Sequence, residues 1–194
     1  MKDNPFLDAL RAGRSVVGLW SVIPDAFAAE LLALAGPDYV CVDQQHGLAD
    51  FSSAHAMFQA ISARGSVPIT RVNWNEPGPI MRALDAGALG VIVPMVETAS
   101  QLVSVAGACR WPPAGERGVG FSRANLFGKK FNLYSEEAQD PLLVPMIENI
   151  RAVEDVGVQF RLARAIAADR VDMHARADHV VGQDGSVLLV GGAG

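Results

Sequence analysis

Tyr39-Val-Cys-Val-Asp-Gln-Gln-His-Gly47 joins a short apolar run to a carboxylate and a histidine. The pattern decides the reading of the chain because it returns twice, in Val67-Pro-Ile-Thr-Arg71 and in Leu142-Leu-Val-Pro-Met-Ile-Glu148. Each stretch reads as a buried strand that ends in an ionisable side chain. The runs are continuously apolar and do not alternate, so both faces of the sheet are expected to be covered. In a parallel α/β protein such strand ends share one face, where a base, a guanidinium and a carboxylate converge.

Outward from these strands the chain alternates. Val16 to Val22 reads as the first strand, Tyr39 to Val42 as the second, Val67 to Val72 as the third and Leu89 to Val96 as the fourth. Asp25 is placed to cap a helix carrying Phe27, Leu31, Leu32 and Leu34, with Gly36-Pro37 as its stop. Ser52 to Arg64 repeats at helical spacing through Ala56, Phe58, Ala60 and Ile61 until Gly65. Glu76-Pro77 leads into a helix with Ile80, Met81 and Leu84, closed by Gly87. Thr98 to Cys109 is also helical. Trp111 to Gly120 is dense in Gly and Pro and reads as loop, and Val119 to Phe121 as a short fifth strand. Asn125 to Asp140 reads as a long functional loop with some helix, Pro141 to Ile147 as the sixth strand, and Ile150 to Val156 as the start of a helix. Strict strand–helix alternation means a parallel sheet with crossover helices. Closed barrels and open doubly wound sheets both satisfy it. No Gly-x-Gly-x-x-Gly follows the first strand and no Walker loop is present, which weighs against nucleotide binding. Polar residues at the ends of several strands favour the barrel.

The 194 residues suffice for one domain with a substantial core, and 50% hydrophobic with 19% charged residues is a globular composition. A net charge of -5 with no basic stripe argues against nucleic acid and anionic membrane surfaces. Cys41 and Cys109 have no ligand spacing, so no disulfide framework is expected and a reducing cytoplasm is the default. The first residues carry no apolar stretch of a signal peptide, and no run approaches the roughly 20 residues of a membrane span.

The candidate residues each have a plainer reading. Asp43, three residues before His46, can hold one imidazole tautomer for a general base, or can cap the loop and leave His46 exposed. Arg71 at a buried strand end needs an anionic partner, either an oxyanion or a structural salt bridge to Glu97 or Asp43. Asp85 on a helix is by default a surface charge. Glu97 and Glu148 end strands, where a carboxylate can bind a hard divalent metal, although one carboxylate does not make a site. Met57, Met81, Met95, Met146 and Cys41 read as core, and His55 as solvated.

Taken together the residues resemble the HpcH/HpaI class II aldolases, a branch of the phosphoenolpyruvate/pyruvate barrel superfamily, over about Pro5 to Val156. The resemblance is carried by Gly18-Leu-Trp-Ser, Asp43-Gln-Gln-His-Gly47, Arg71-Val-Asn-Trp-Asn, Leu84-Asp-Ala-Gly-Ala, Val91-Ile-Val-Pro-Met-Val-Glu97, Pro112-Pro-Ala-Gly-Glu-Arg-Gly-Val-Gly120 and Pro145-Met-Ile-Glu-Asn149. Each is weak alone, and their order and spacing are specific. The resemblance implies a (β/α)₈ TIM-barrel-type fold and reversible aldol chemistry on 2-oxo acids and aldehydes through a pyruvate enolate. It also implies a divalent metal (Mg²⁺, Mn²⁺ or Co²⁺) and a homo-oligomer. It makes His46 the general base, Arg71 the group that stabilises the enolate oxygen, Asp85 a residue that raises the histidine's basicity and Asp43 one that helps orient it. Glu148 becomes one metal ligand. A metal and a guanidinium stabilise charge where it develops on oxygen, and no Schiff-base lysine is required; Lys129 and Lys130 fall in the loop.

The chain departs from the pattern after Glu154-Asp155-Val156. The aspartate expected as second metal ligand has no counterpart there, and Asp169, Asp172, His174, Asp178 and His179 are the alternatives. Met146 stands where many relatives carry a substrate-contacting glutamine. The expected organisation is an aldolase-type barrel region over 1–156, holding about six βα units, and an atypical tail over 157–194. That tail is expected as a helix with Phe160, Leu162 and Ile166, then a hairpin around Gln183-Asp184-Gly185. Only 46 residues follow Glu148, fewer than two further units of a barrel of about 250 residues require. A metal-dependent aldolase is therefore the first reading. A truncated relative that binds pyruvate-like ligands or acts in assembly, with little turnover, is the second. A lyase of the citrate lyase β-subunit or malyl-CoA type is the third, ranked last because no basic cluster offers a CoA surface.

Overall fold

The computed structural model of the chain describes residues 4–125 and 141–167. Among them the strands are β1 (Gly18–Ser21), β2 (Tyr39–Asp43), β3 (Val67–Arg71), β4 (Gly90–Val93) and β5 (Leu142–Pro145). The helices are α1 (Pro5–Arg11), α2 (Ala26–Leu34), α3 (Phe51–Ala63), α4 (Pro77–Ala86), α5 (Ala99–Cys109) and α6 (Ile150–Ala167). The strands form one parallel sheet in the order β1-β2-β3-β4-β5. A doubly wound sheet reverses its strand order at a switch point. This sheet never does, so the two architectures left open by the sequence are separated in favour of barrel winding, over the part of a barrel that these strands make.

Local sequence fixes the element ends. The Asp25 and Asp50 side chains accept the backbone N–H groups of Ala28 and Ser53, each at 2.8 Å, which satisfies donors at the starts of α2 and α3. Thr98 and Gln101 close a capping box on α5. Gly87, at φ 111°, ends α4 in a conformation that a side chain resists.

Side-chain alternation sorts the core into layers. Val40 and Val42 pack outward with Ala29, Ala33, Met57, Phe58 and Ile61 of α2 and α3. Val91 and Val93 pack outward with Ile80, Leu84, Leu102 and Val105 of α4 and α5. The opposite set, Cys41, Ile69, Ile92 and Val144, gathers on the concave inner face. Helix α1, which has no counterpart in the expectations above, closes the lower end of that interior. Its Phe6 meets the Tyr39 ring edge-on at 4.9 Å, and Asn4 Nδ2 donates to the Leu89 carbonyl at 2.9 Å. Gly18 stands opposite Tyr39 in the β1–β2 register. A Cβ there would lie 2.0 Å from the Tyr39 ring, so this crossing requires glycine.

Three expectations are corrected. Val119 to Phe121 is not a strand; glycines at 118 and 120 leave it little side chain to pack. Strand β5 pairs directly with β4, with Gly90 opposite Leu142, so the described residues hold five strands where six were expected. Helix α6 runs from Ile150 to Ala167, over the stretch where helix was expected. His55, read as solvated, is half-buried, and its Nδ1 lies 3.1 Å from the Ala86 carbonyl at the end of α4. The expected hairpin, Lys129, Lys130 and the alternative ligands Asp169, Asp172, His174, Asp178 and His179 lie outside the described residues.

Candidate active site

Asp43 and Arg71 are the last residues of adjacent parallel strands and stand directly opposite one another in the β2–β3 register. They belong to the inward-facing set that includes Cys41 and Ile69, so both emerge at the upper end of the concave face. Arg71 Nε donates to Asp43 Oδ1 at 3.0 Å and its NH2 group to Oδ2 at 2.5 Å. This is the two-pronged geometry that arginine makes with carboxylates. Asp43 is 1% exposed, yet three further donors reach it: Trp20 Nε1 at 3.1 Å, and the backbone N–H groups of Gln45 at 3.0 Å and His46 at 3.2 Å. Burial pushes the Asp43 carboxyl up, but the hydrogen bonds from Arg71, Trp20, His46 and Gln45 outweigh it and hold the group at about 2. The hydrogen bonds to Asp43 in turn raise the Arg71 value, so the guanidinium is a fixed cation.

Asp43 is therefore neither an available base nor a spare metal ligand. Two carboxylate oxygens offer about four lone-pair sites, and five donors already use them. Its contact with His46 is to the backbone N–H, so it shapes the 44–46 turn and leaves the imidazole alone. The two plainer sequence readings hold together here: Asp43 caps the loop, and Arg71 is salt-bridged to it. His46 is exposed on the rim that this turn builds, three residues beyond the end of β2.

Asp85 is not part of this cluster. It lies near the end of α4, which descends from the Arg71 end of the sheet toward the start of β4. Its Oδ1 accepts from Arg117 NH2 at 2.7 Å. Arg117 is 3% exposed, and its guanidinium lies 4.8 Å from the centre of the Trp111 ring. Asp85, itself partly exposed, thus pairs with a buried arginine of the loop after α5.

Glu148 follows β5 and reaches across to the segment after β4, where its Oε2 accepts the Met95 N–H at 2.7 Å. Met95 has φ 56°, a left-handed conformation that costs a non-glycine residue about 1–2 kcal/mol. The strained residue thus presents the N–H that steers this carboxylate, and the Glu148 charge also acts on Arg71. Glu97 is committed elsewhere: Asn149 Nδ2 donates to its Oε1 at 2.6 Å and Arg151 pairs with it at 2.8 Å. Among the described residues no three His, Cys, Asp or Glu side chains gather into a group able to hold a metal ion. Glu148 fits as a single hard oxygen ligand, and Mg²⁺ is commonly held by one or two carboxylates with water and substrate oxygens supplying the rest.

Sequence reasoning missed Trp20. The signal was available in register form: Trp20 pairs with Cys41, so it shares the inner face with Asp43 one strand away.

The sequence model of a family described as HpcH/HpaI aldolase/citrate lyase matches residues 16–173. A 4-hydroxy-2-oxo-heptane-1,7-dioate aldolase from Salmonella heidelberg (strain SL476) is 36% identical over 171 residues, which are 87% of this chain and 63% of that protein. The crystal structure of an HpcH/HpaI aldolase/citrate lyase family protein from Burkholderia cenocepacia J2315 superposes with a TM-score of 0.75 at 33% identity, covering 81% of this chain and 64% of that one. The structure of the citrate synthase SbnG gives a TM-score of 0.69 at 27% identity, covering 79% and 60%. The chain spans about 63% of the length of the curated relatives it matches.

Proposed function

The chain belongs to the HpcH/HpaI aldolase/citrate lyase family, and from that premise we propose that its site forms and cleaves 2-oxo acids by aldol chemistry through a pyruvate enolate. One observation carries the reading: a fixed guanidinium, Arg71, stands at a strand end on the rim that bears His46 and Glu148. An enolate places negative charge on one oxygen, and a preorganised cation in a partly dry site stabilises that charge as it develops. Asp43 serves by holding Arg71 in place.

In the cleavage direction His46 takes the proton of the substrate's 4-hydroxyl group. The C3–C4 bond then breaks, the aldehyde leaves, and the electron pair passes into the enolate with its charge on the 2-oxygen facing Arg71. Protonation at C3 completes pyruvate. In the synthetic direction His46 removes the C3 proton and returns it to the new alkoxide. Glu148 would hold a divalent metal (Mg²⁺, Mn²⁺ or Co²⁺), which when bound adds Lewis-acid stabilisation to the same oxygen. Asp85 keeps the role of raising the histidine's basicity only where it meets a His46, and within one chain it meets Arg117 instead.

The substrates are small molecules, a 2-oxo acid and an aldehyde, with neither nucleic acid nor a membrane involved. No described helix is long and apolar enough to cross a membrane. Cytoplasmic residence and a homo-oligomer complete the reading, and exposed Phe27, Leu31 and Leu34 along one side of α2 favour association. A second reading is ligand binding without turnover, motivated by the departure of the sequence after Val156 from the pattern that supplies a second metal ligand. The deciding experiment measures aldehyde-dependent consumption of pyruvate with Mg²⁺, Mn²⁺ or Co²⁺. The reading requires activity that His46→Ala lowers by about 10²-fold or more. Folded protein that binds pyruvate but does not consume it with any of these metals would move the assignment to the second reading.

A further inference from the structure

We propose that Trp20 is a positioning residue for this site: its indole clamps the Asp43–Arg71 pair from the β1 side and so fixes where the guanidinium meets the reacting oxygen. Two contacts carry the inference. Trp20 Nε1 donates to Asp43 Oδ2 at 3.1 Å, the same oxygen that receives Arg71 NH2. The Trp20 ring also lies 5.1 Å from the Arg71 Cζ, within cation–π range. One side chain therefore touches both members of the pair, with a hydrogen bond to the anion and a ring contact to the cation. Trp20 is 43% exposed although it belongs to the inward set. Burial alone does not account for a tryptophan in such a place, because much of it stays exposed although it stands level with the buried Cys41 in the β1–β2 register. A phenyl ring would supply comparable apolar area. What the indole adds is an N–H on Asp43 Oδ2 beside the Arg71 donor, which ties the carboxylate to β1.

The division of labour follows from the strands. β2 supplies the anion, β3 the cation and β1 the indole that keeps them in register. The proposal rests on the enolate reading for its catalytic consequence but not for its geometry, so the two are tested separately. Trp20→Phe retains the ring and deletes the donor; Trp20→Ala deletes both. Catalysis is read as exchange of the pyruvate methyl protons into D₂O. Trp20→Phe is expected to lower kcat about tenfold, the rate equivalent of one charge-assisted hydrogen bond, with KM moving less than about threefold. Trp20→Ala is expected to lower kcat further, to about 100-fold below the parent. Geometry is read by NMR of ¹⁵N-labelled protein: the indole resonance that Trp20→Phe removes, and the Arg71 Nε–H resonance identified by its loss in Arg71→Lys. The Arg71 Nε–H is expected to be protected from solvent exchange in the parent and to exchange at least tenfold faster in Trp20→Phe. Unchanged Arg71 exchange in folded Trp20→Phe overturns the proposal, as does a loss confined to KM, which would make the indole a substrate wall. If the parent protein exchanges no pyruvate protons while Arg71 protection still depends on Trp20, the enolate reading fails and the clamp stands.

Discussion

Replacing Asp43 by asparagine is the sharpest perturbation of this site, and its magnitude follows from the contacts. The carboxyl, ordinarily near 3.8, is held at about 2. At about 1.36 kcal/mol per tenfold change in proton affinity, that depression makes the ionised form worth roughly 2.5 kcal/mol to the folded state. The folded value lies below the unfolded one, so the contribution is complete above pH 4 and is lost as pH falls through 2. Asp43→Asn removes it at neutral pH and also strands Arg71, whose side chain is 13% exposed, without its counter-charge. Breaking one side of a buried pair costs about 3–5 kcal/mol. The amide would also turn an NH₂ group toward donors from Arg71, Trp20 or the 44–46 turn. The expected outcome is a loss of about 3 kcal/mol or more at pH 7, measured by urea unfolding followed by circular dichroism. That gap should narrow by about 1 kcal/mol between pH 5 and pH 3, as the parent begins to lose what the variant never had. Adding Arg71→Met to Asp43→Asn should recover part of the loss, with a coupling of about 2 kcal/mol. A neutral-pH loss below about 1 kcal/mol, or a gap that does not change with pH, would refute the reasoning.

Two further outcomes follow from the same contacts. Cys41 and Cys109 are 0% and 3% exposed, and burial pushes the Cys41 thiol far up. Folded protein should therefore react with an aromatic disulfide reagent at least about 100-fold more slowly than protein in denaturant, since the thiolate is the nucleophile; prompt labelling of Cys41 at neutral pH would contradict the packing of the inner face. Asp50→Ala removes the side-chain cap of α3, which accepts from both the Ser53 N–H and its hydroxyl. It should cost about 1 kcal/mol in urea unfolding with no change in the transition's slope.

Much of the fold was legible because the elements announce themselves locally. All five strands begin and end within a few residues of their apolar runs, and Asp25, Thr98, Pro77 and Gly87 mark helix ends by chemistry that depends on a single residue. Val119 misled because one β-branched residue between two glycines carries strand propensity without a partner strand to pair with. Helix α1 was missed because its purpose is tertiary: Phe6 and Leu10 are ordinary apolar residues until the interior they close exists. Strand-end position and resemblance offered Asp43, His46, Arg71 and Glu148 as candidates, but the contacts each side chain makes could not be read from them. Nothing in the spacing of Asp43 and His46 says that the contact goes to the backbone N–H and not to the ring. The Asp85–Arg117 pair joins residues 32 positions apart across a loop without regular periodicity.

The register of the sheet and the electrostatics of the site are one device. A one-residue slip between β2 and β3 would set Asp43 opposite Thr70 or Val72 and turn the outward row of one strand against the inward row of the other. In the observed register Cys41 meets Ile69, Val42 meets Thr70 and Asp43 meets Arg71, so the apolar layer and the ion pair select the same alignment. The Thr70 hydroxyl strengthens the choice by donating to the Val42 carbonyl at 2.7 Å. A buried ion pair is a weak source of net stability, since desolvation offsets most of its Coulomb energy. Its value here lies in specificity, because a misaligned sheet would leave a carboxylate and a guanidinium buried and unpaired. The same argument explains why the pair sits at the last residue of each strand. There Arg71 stands level with Ile92 and Val144 and one layer above Cys41 and Ile69, so the guanidinium is held by two hydrogen bonds to Asp43 at the edge of the apolar layer.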